Sequence, residues 1–294
     1  MSFHIITDSA SDLPRNIIKE YNAYVMPTPV LVDEVDYFDG DTILPDEFYK
    51  LQKENHDIKT YHISQLMFEE HFLPFAKNGD EVLYICFSTG IAGTYNAARL
   101  AVEEIKESYP DFQITIIDSH CASIGYGLVV YQLLQMKKNQ APKELIIEAA
   151  RFFCAHMRHV FTVDSLEYLY KGGRISRTSA ALGSALSIKP IIIVDENGSL
   201  KSIEKEHGWK KALKRIITKM GEESLVLNKQ TIGVSYGTNE EDCDRLAETI
   251  IETYHPKHIM KGQIGCAIGA HTGPNIVAAV YLDEINEEYE KFLD

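Results

Sequence analysis

The sequence predicts two α/β domains, each with a largely parallel sheet, the second with added antiparallel strands. Three observations point there. The chain has 294 residues, which exceeds one small module and suits about two folding units. Short apolar runs alternate with longer helical stretches, the pattern of α/β units. A hairpin pattern then interrupts that alternation in the second half.

In chain order, residues 4–7 read as a first strand and 13–21 as the helix that follows. Residues 45–53 and 142–157 are helices that open on Pro45 and Pro142, where a missing N–H costs nothing. Strands at 81–87 and 113–117 flank a helix at 95–107. The helix at 127–138 is apolar on nearly every face, so it belongs in a core or against the wall of a greasy cavity. A strand at 160–163 opens the second half. Residues 189–206 form the hairpin, two apolar-bearing strands around Asp195-Glu196-Asn197-Gly198. Helices at 209–220 and 240–254 follow, and Gly269-Ala270-His271-Thr272-Gly273-Pro274 reads as a glycine-rich loop leading into a last strand at 276–282. The change of style near residues 155–160 places the domain boundary between 1–157 and 158–294.

Composition narrows the function. Hydrophobic residues make up 45% and charged ones 24%, enough for a sizeable core. With 29 basic and 43 acidic side chains the net charge is −14, a surface that repels nucleic acid and anionic membranes. No run reaches the roughly 18 apolar residues of a membrane span, and no signal segment opens the sequence. Cys86, Cys121, Cys154, Cys243 and Cys266 include no C-x-x-C pair, which fits a reducing compartment; a cytoplasmic protein is expected.

Four predicted strands end on small polar residues: Thr7-Asp8-Ser9, Ser88-Thr89-Gly90, Ile117-Asp118-Ser119 and Val163-Asp164-Ser165. In open α/β sheets the strands' carboxyl ends line the ligand crevice, and helix N-termini there present free N–H groups to an anion. Asp8, Asp118 and Asp164 also suit helix capping. The stretch from Ser88 to Thr94 is the better binding segment, because Gly90 and Gly93 let a ligand approach the backbone. Nucleophile elbows, Walker loops, complete dinucleotide fingerprints and metal-spaced histidines are missing, so no cofactor and no metal are expected. An enzyme acting on a small carboxylate or phosphate metabolite would have to use His271 with His207 as acid and base.

These motifs together resemble the DegV family, whose best-understood members are the fatty-acid-binding FakB subunits of bacterial fatty acid kinase. The resemblance spans nearly the whole chain. It is carried by Ile6-Thr7-Asp8-Ser9-Ala10-Ser11-Asp12-Leu13-Pro14, Ser88-Thr89-Gly90-Ile91-Ala92-Gly93-Thr94-Tyr95, Ile117-Asp118-Ser119 with Ala122-Ser123-Ile124-Gly125-Tyr126-Gly127, Leu166-Glu167-Tyr168-Leu169 with Gly172-Gly173-Arg174-Ile175-Ser176, Lys189-Pro190-Ile191, and His271-Thr272-Gly273-Pro274.

The resemblance implies a slot between the two domains that holds one long-chain fatty acid. Its carboxylate would be presented to a partner kinase, with neither nucleic acid nor stable membrane insertion involved. By position it assigns Thr60 and Ala92 to the carboxylate, and Ser88, Thr89 or the backbone N–H groups from Gly90 to Gly93 are the candidates to take over the oxyanion where Ala92 has no hydroxyl. Phe68 and Phe72 keep the register that makes Thr60 a donor. Tyr61, His62, Ser119, His207, His271 and Thr272 fall near the head group, and Arg174 and Lys210 toward a partner or phosphate. Two departures stand out: Ala92 lacks a serine hydroxyl that usually serves as the second donor, and His207 replaces an arginine. These leave room for another amphiphile as the ligand.

Magnitudes favour lipid binding despite the departures. One lost hydrogen bond to a charged group costs about 1.5–3 kcal/mol, whereas each buried CH₂ contributes roughly 0.8 kcal/mol. A 16-carbon tail is thus worth on the order of 10 kcal/mol before ordering costs. Lys171, Arg174 and Arg177, with the helix face of Lys210, Lys211, Lys214 and Arg215, read as solvated charge or as a docking patch for the kinase.

Overall fold

A computed structural model describes residues 2–176 and 187–293; Arg177 of the basic group lies outside the described residues. The first half runs β1 (Phe3–Asp8), α1 (Arg15–Tyr21), β2 (Tyr24–Met26), β3 (Pro29–Val32), β4 (Val35–Phe38), α2 (Pro45–Lys53), β5 (Ile58–Thr60), α3 (Gln65–Asn78), β6 (Glu81–Cys86), α4 (Thr94–Ser108), β7 (Gln113–Asp118), α5 (Ile124–Lys138) and α6 (Lys143–His156). The second half runs β8 (Met157–Val163), α7 (Glu167–Lys171), β9 (Ile188–Val194), β10 (Leu200–His207), α8 (Trp209–Glu223), β11 (Thr231–Tyr236), α9 (Glu240–Tyr254), β12 (His258–Gln263), α10 (Cys266–Thr272), β13 (Ile276–Leu282) and α11 (Glu287–Glu290).

The first sheet has the order β2-β1-β6-β7 and every pair is parallel. Its middle strands are continuous apolar runs because helices cover both faces. A small antiparallel sheet, β4-β3-β5, was not signalled by any long periodic segment; its strands are three or four residues each. Thr60 is the last residue of β5, which places it at that sheet's end.

The second sheet has the order β10-β9-β8-β13-β11-β12. Antiparallel pairing extends well beyond the hairpin read from the sequence: β13 returns between β8 and β11, antiparallel to both, and β11 with β12 is the parallel pair. Register decides what this sheet offers each side. Phe161, Ala278 and Ser235 lie in one cross-strand row, and His159, Val280 and Gly233 in the next, so their side chains share one face. The residues between them, Val160, Val277, Ala279, Ile232 and Val234, face the other way into a core covered by α8 and α9.

Helix α5 is buried all round, and packs against strands of both sheets. One apolar cluster therefore runs from Ile5 and Leu83 through Leu128 and Leu133 to Ile276 and Val280, a core shared by both halves. Gly269 to Thr272, expected as loop, is instead the end of helix α10. The reason is tertiary. Its backbone N–H groups at Cys266 and Ala267 donate to the Asp39 carboxylate at 2.9 and 3.1 Å, and that of Gly265 to Asp12 at 2.8 Å. Carboxylates from the far half thus cap a helix whose own N-cap residue, Gly265, has no side chain.

Candidate functional site

Between the shared face of the second sheet, α10, and the loops after β5 and β6 lies a cavity of about 220 Å³, many times the ~10–15 Å³ one enclosed water needs. Its wall is mostly apolar: Phe87, Phe161, Leu169, Ile264, Ile268 and Val280 are among the lining residues. The polar groups gather unevenly, and one group of them stands at the opening.

At the opening, the Thr60 hydroxyl and His271 Nε2 are 2.6 Å apart although 211 residues separate them in the chain. Helix α10 delivers His271 from its last turn, and β5 delivers Thr60. The imidazole turns its Nδ1 edge toward the chain at Gly172: a Cβ there would stand 2.1 Å from His271 Nδ1, so any side chain at 172 would evict the ring. Burial and the neighbouring Arg174 charge hold His271 down to about 4, hence neutral at physiological pH. Arg174 also lines the cavity. Its guanidinium donates to the Gly172 carbonyl, and its Nε is buried with no partner among the described residues. A half-buried cation with an unused donor beside a neutral His–Thr pair is suited to an anion. Tyr61 and His62 line the same end and are exposed, so the opening lies beside these groups.

The other assigned residues divide. Ala92, Gly93 and Thr272 line the cavity with Thr60, Tyr61, His62, Arg174 and His271. The Thr272 hydroxyl is turned back on its own helix, donating to Ile268 O at 3.2 Å. Ser88, Thr89, Gly90 and Ser119 are not on the cavity wall. Ser88 is buried and its hydroxyl donates to the Gly198 carbonyl at 2.8 Å, locking the β6 loop to the β9–β10 hairpin. Thr89 donates to Asp118, and Ser119 is engaged with the Cys121 backbone. His207, at the end of β10, and Lys210, in α8, are exposed and off the cavity. His207 and His271 therefore do not share this wall.

Sequence reasoning assigned no site role to Asp8, Thr28, Ser123, His159 and Ser235, polar residues that line the cavity. Asp8 was read as a cap and does accept from Ala10 N at 3.2 Å, but it also lines the cavity and accepts from Tyr126 and Tyr84 at 2.7 and 2.8 Å. Burial raises it to about 6. His159 and Ser235 are both buried. Their signal is faint, because each shares a mainly apolar strand with other polar residues, Arg158 and Thr162 in the strand of His159 and Thr231 in that of Ser235.

Burial lowers His159 to about 4 from an ordinary 6.5. Between those values the unfolded chain takes up a proton that the native ring refuses, so stability falls as the pH drops through that window. For this residue the loss from pH 7 to pH 5 is about 2 kcal/mol. Denaturant titrations at the two pH values should show His159→Gln losing less stability on acidification than the unsubstituted protein by about that amount; an equal loss would mean that His159 is not held neutral.

Among the described residues no helix is long and apolar enough to cross a membrane, and no cluster of three or more His, Cys, Asp or Glu is placed to hold a metal.

Comparison with known proteins gives a consistent match. A family model described as "Uncharacterised protein, DegV family" matches residues 2–284. A DegV domain-containing protein of Clostridium perfringens is 38% identical over 287 residues, covering 97% of this chain and 99% of the relative. Among solved structures, a fatty acid (stearic acid)-binding protein from Eubacterium ventriosum superimposes with a TM-score of 0.87 at 27% identity, covering 98% and 99% of the two chains. The fatty acid kinase B3 protein of Streptococcus pneumoniae, loaded with linoleic acid, shares the fold with a TM-score of 0.85 at 21% identity over 97% and 100%.

Proposed function

The chain belongs to the DegV family, and from that premise we propose that it binds one long-chain fatty acid in the inter-sheet cavity and presents the carboxylate to a partner kinase. The observation that carries the reading is an apolar cavity whose polar head site, Thr60, His271 and Arg174, lies at its opening. The ligand's tail displaces water from Phe87, Phe161, Leu169 and Ile268, and the carboxylate meets the one cation among these lining residues. In the tautomer protonated on Nε2, the neutral His271 donates to Thr60 Oγ1, which leaves the Thr60 hydroxyl proton for a carboxylate oxygen. Arg174 takes the place of the hydroxyl missing at Ala92. The stearic acid of the Eubacterium ventriosum protein supports this ligand class.

The kinase half of the proposal draws on the family resemblance and on the head site's position. Tyr61 and His62, both exposed, border the opening, so the carboxylate is within reach of a second protein. Exposed Lys171 and Lys210 are the basic side chains proposed to dock it.

Native mass spectrometry of protein purified without delipidation tests the ligand directly: a co-purifying mass of a long-chain fatty acid is expected, and consistently lipid-free protein that also refuses added stearate would refute it. Within the same assay Thr60→Ala removes a hydrogen bond to a charged group and should weaken stearate binding roughly tenfold or more. Unchanged binding would take Thr60 out of the head site.

A further inference from the structure

Two residues of the cavity wall carry buried polar atoms that no group among the described residues satisfies. His159 is 6% exposed and Ser235 0%; both line the cavity, and His159 Nδ1 and Ser235 Oγ have no hydrogen-bond partner among the described residues. The His159 tautomer is fixed by its surroundings. The Ala122 N–H donates to Nε2 at 3.3 Å, so Nε2 is the acceptor and the ring proton sits on Nδ1. The ring is also locked in place, because Gly125 lies so close that a Cβ there would stand 1.9 Å from Nε2. A residue of the mostly apolar cavity wall thus holds a neutral, buried N–H donor with a fixed tautomer, and buried donors in native proteins are almost always paired.

We propose that the preferred ligand is a fatty acid bearing an oxygen within its chain, a hydroxy or oxo acid, whose oxygen accepts from His159 Nδ1–H. This rests on the fatty-acid reading of the cavity and specifies the acid. Position along the chain follows from the register. Val163 pairs with Ile276 at the end of the sheet from which the chain continues to Leu169 and Arg174, and into which His271 leads. His159 lies four residues back along β8, roughly 13 Å at the strand rise. The oxygen therefore belongs toward the middle of the ligand, away from the carboxylate. Ser235, two strands across in the neighbouring row, lies roughly 10 Å to the side and is fully buried, so His159 is the donor on which the proposal rests.

The experiment is a competition. Delipidated protein is exposed to equimolar stearate, a stearate hydroxylated in mid-chain and one hydroxylated beside the carboxylate, and the retained acids are counted by native mass spectrometry. The mid-chain hydroxy acid should be retained roughly three- to tenfold over stearate, the worth of one net hydrogen bond, and over the acid hydroxylated at its head. The preference should vanish in His159→Phe and survive in part in His159→Gln, which keeps a donor. Equal retention of stearate and the mid-chain acid by the unsubstituted protein overturns this inference while leaving fatty acid binding intact. Retention of none of the three overturns the fatty-acid reading itself. The first measurement needs no variant, so a misfolded substitution cannot obscure it.

Discussion

An Ala278→Trp protein is expected to purify without lipid and to bind stearate about a thousandfold more weakly, while keeping its fold. Ala278 sits in the middle of the sheet face that floors the cavity, between Phe161 and Ser235, and its side chain borders open space. An indole placed there takes up room that the alkyl chain would use. Displacing about five methylenes from apolar surroundings loses on the order of 4 kcal/mol, which is roughly three decades in affinity. The fold tolerates the change because the new ring enters a void instead of a packed core. Ala279 supplies the control. Its side chain points to the opposite face, fully buried against the α8 and α9 core, so Ala279→Trp should unfold or badly destabilise the protein by overpacking. Calorimetric titration with stearate and a thermal melt check both; undiminished stearate binding by a folded Ala278→Trp protein would show that the cavity is not where the lipid goes.

The second large effect is on stability. Asp39, from the first half, is 3% exposed and accepts from Cys266 N and Ala267 N in the second. Asp39→Ala leaves two helix N–H groups without their acceptor in a buried place and removes the charge that complements the N-terminus of α10. A loss of about 3 kcal/mol is expected, after allowing for the relief of repulsion between Asp39 and the nearby Asp12 carboxylate. For a chain of this size that lowers the melting temperature by roughly 6–12 °C. Because α10 carries His271, the same variant should also weaken stearate binding even though Asp39 is not on the cavity wall. A melting point within a degree of the unsubstituted protein would mean that α10 is held by its apolar face alone.

Much of the fold is legible in the amino-acid sequence. The long helices and strands lie within a few residues of where periodicity placed them, as with 45–53 and 240–254, because an amphipathic pattern over ten or more residues has one favourable local solution. Short elements escaped: β3, β4 and β5 carry too few residues for a period, and the N-terminus of α10 is capped by Asp39 and Asp12, which reach it from more than 220 residues away. At the site, Thr60 and His271 were named separately and the fold sets them within one hydrogen bond. Ser88 was named for its hydroxyl, and the fold gave that hydroxyl to Gly198. Nothing in the residues around Ser88 could reveal this, since the acceptor arrives on a hairpin 110 residues later.

By itself, then, the order of amino acids determined the family, the alternation of strand and helix, the acidic surface and the residue types available to hold an acid. Only the tertiary structure decided which of those side chains line the cavity, that Arg174 joins the pair at its mouth, and that His159 holds a buried donor of fixed tautomer at its wall. The physical reason is range. Backbone periodicity and capping act over a few neighbours, whereas a hydrogen bond, a lowered histidine pKa or an enclosed volume depends on groups that become neighbours only when distant segments pack and exclude water.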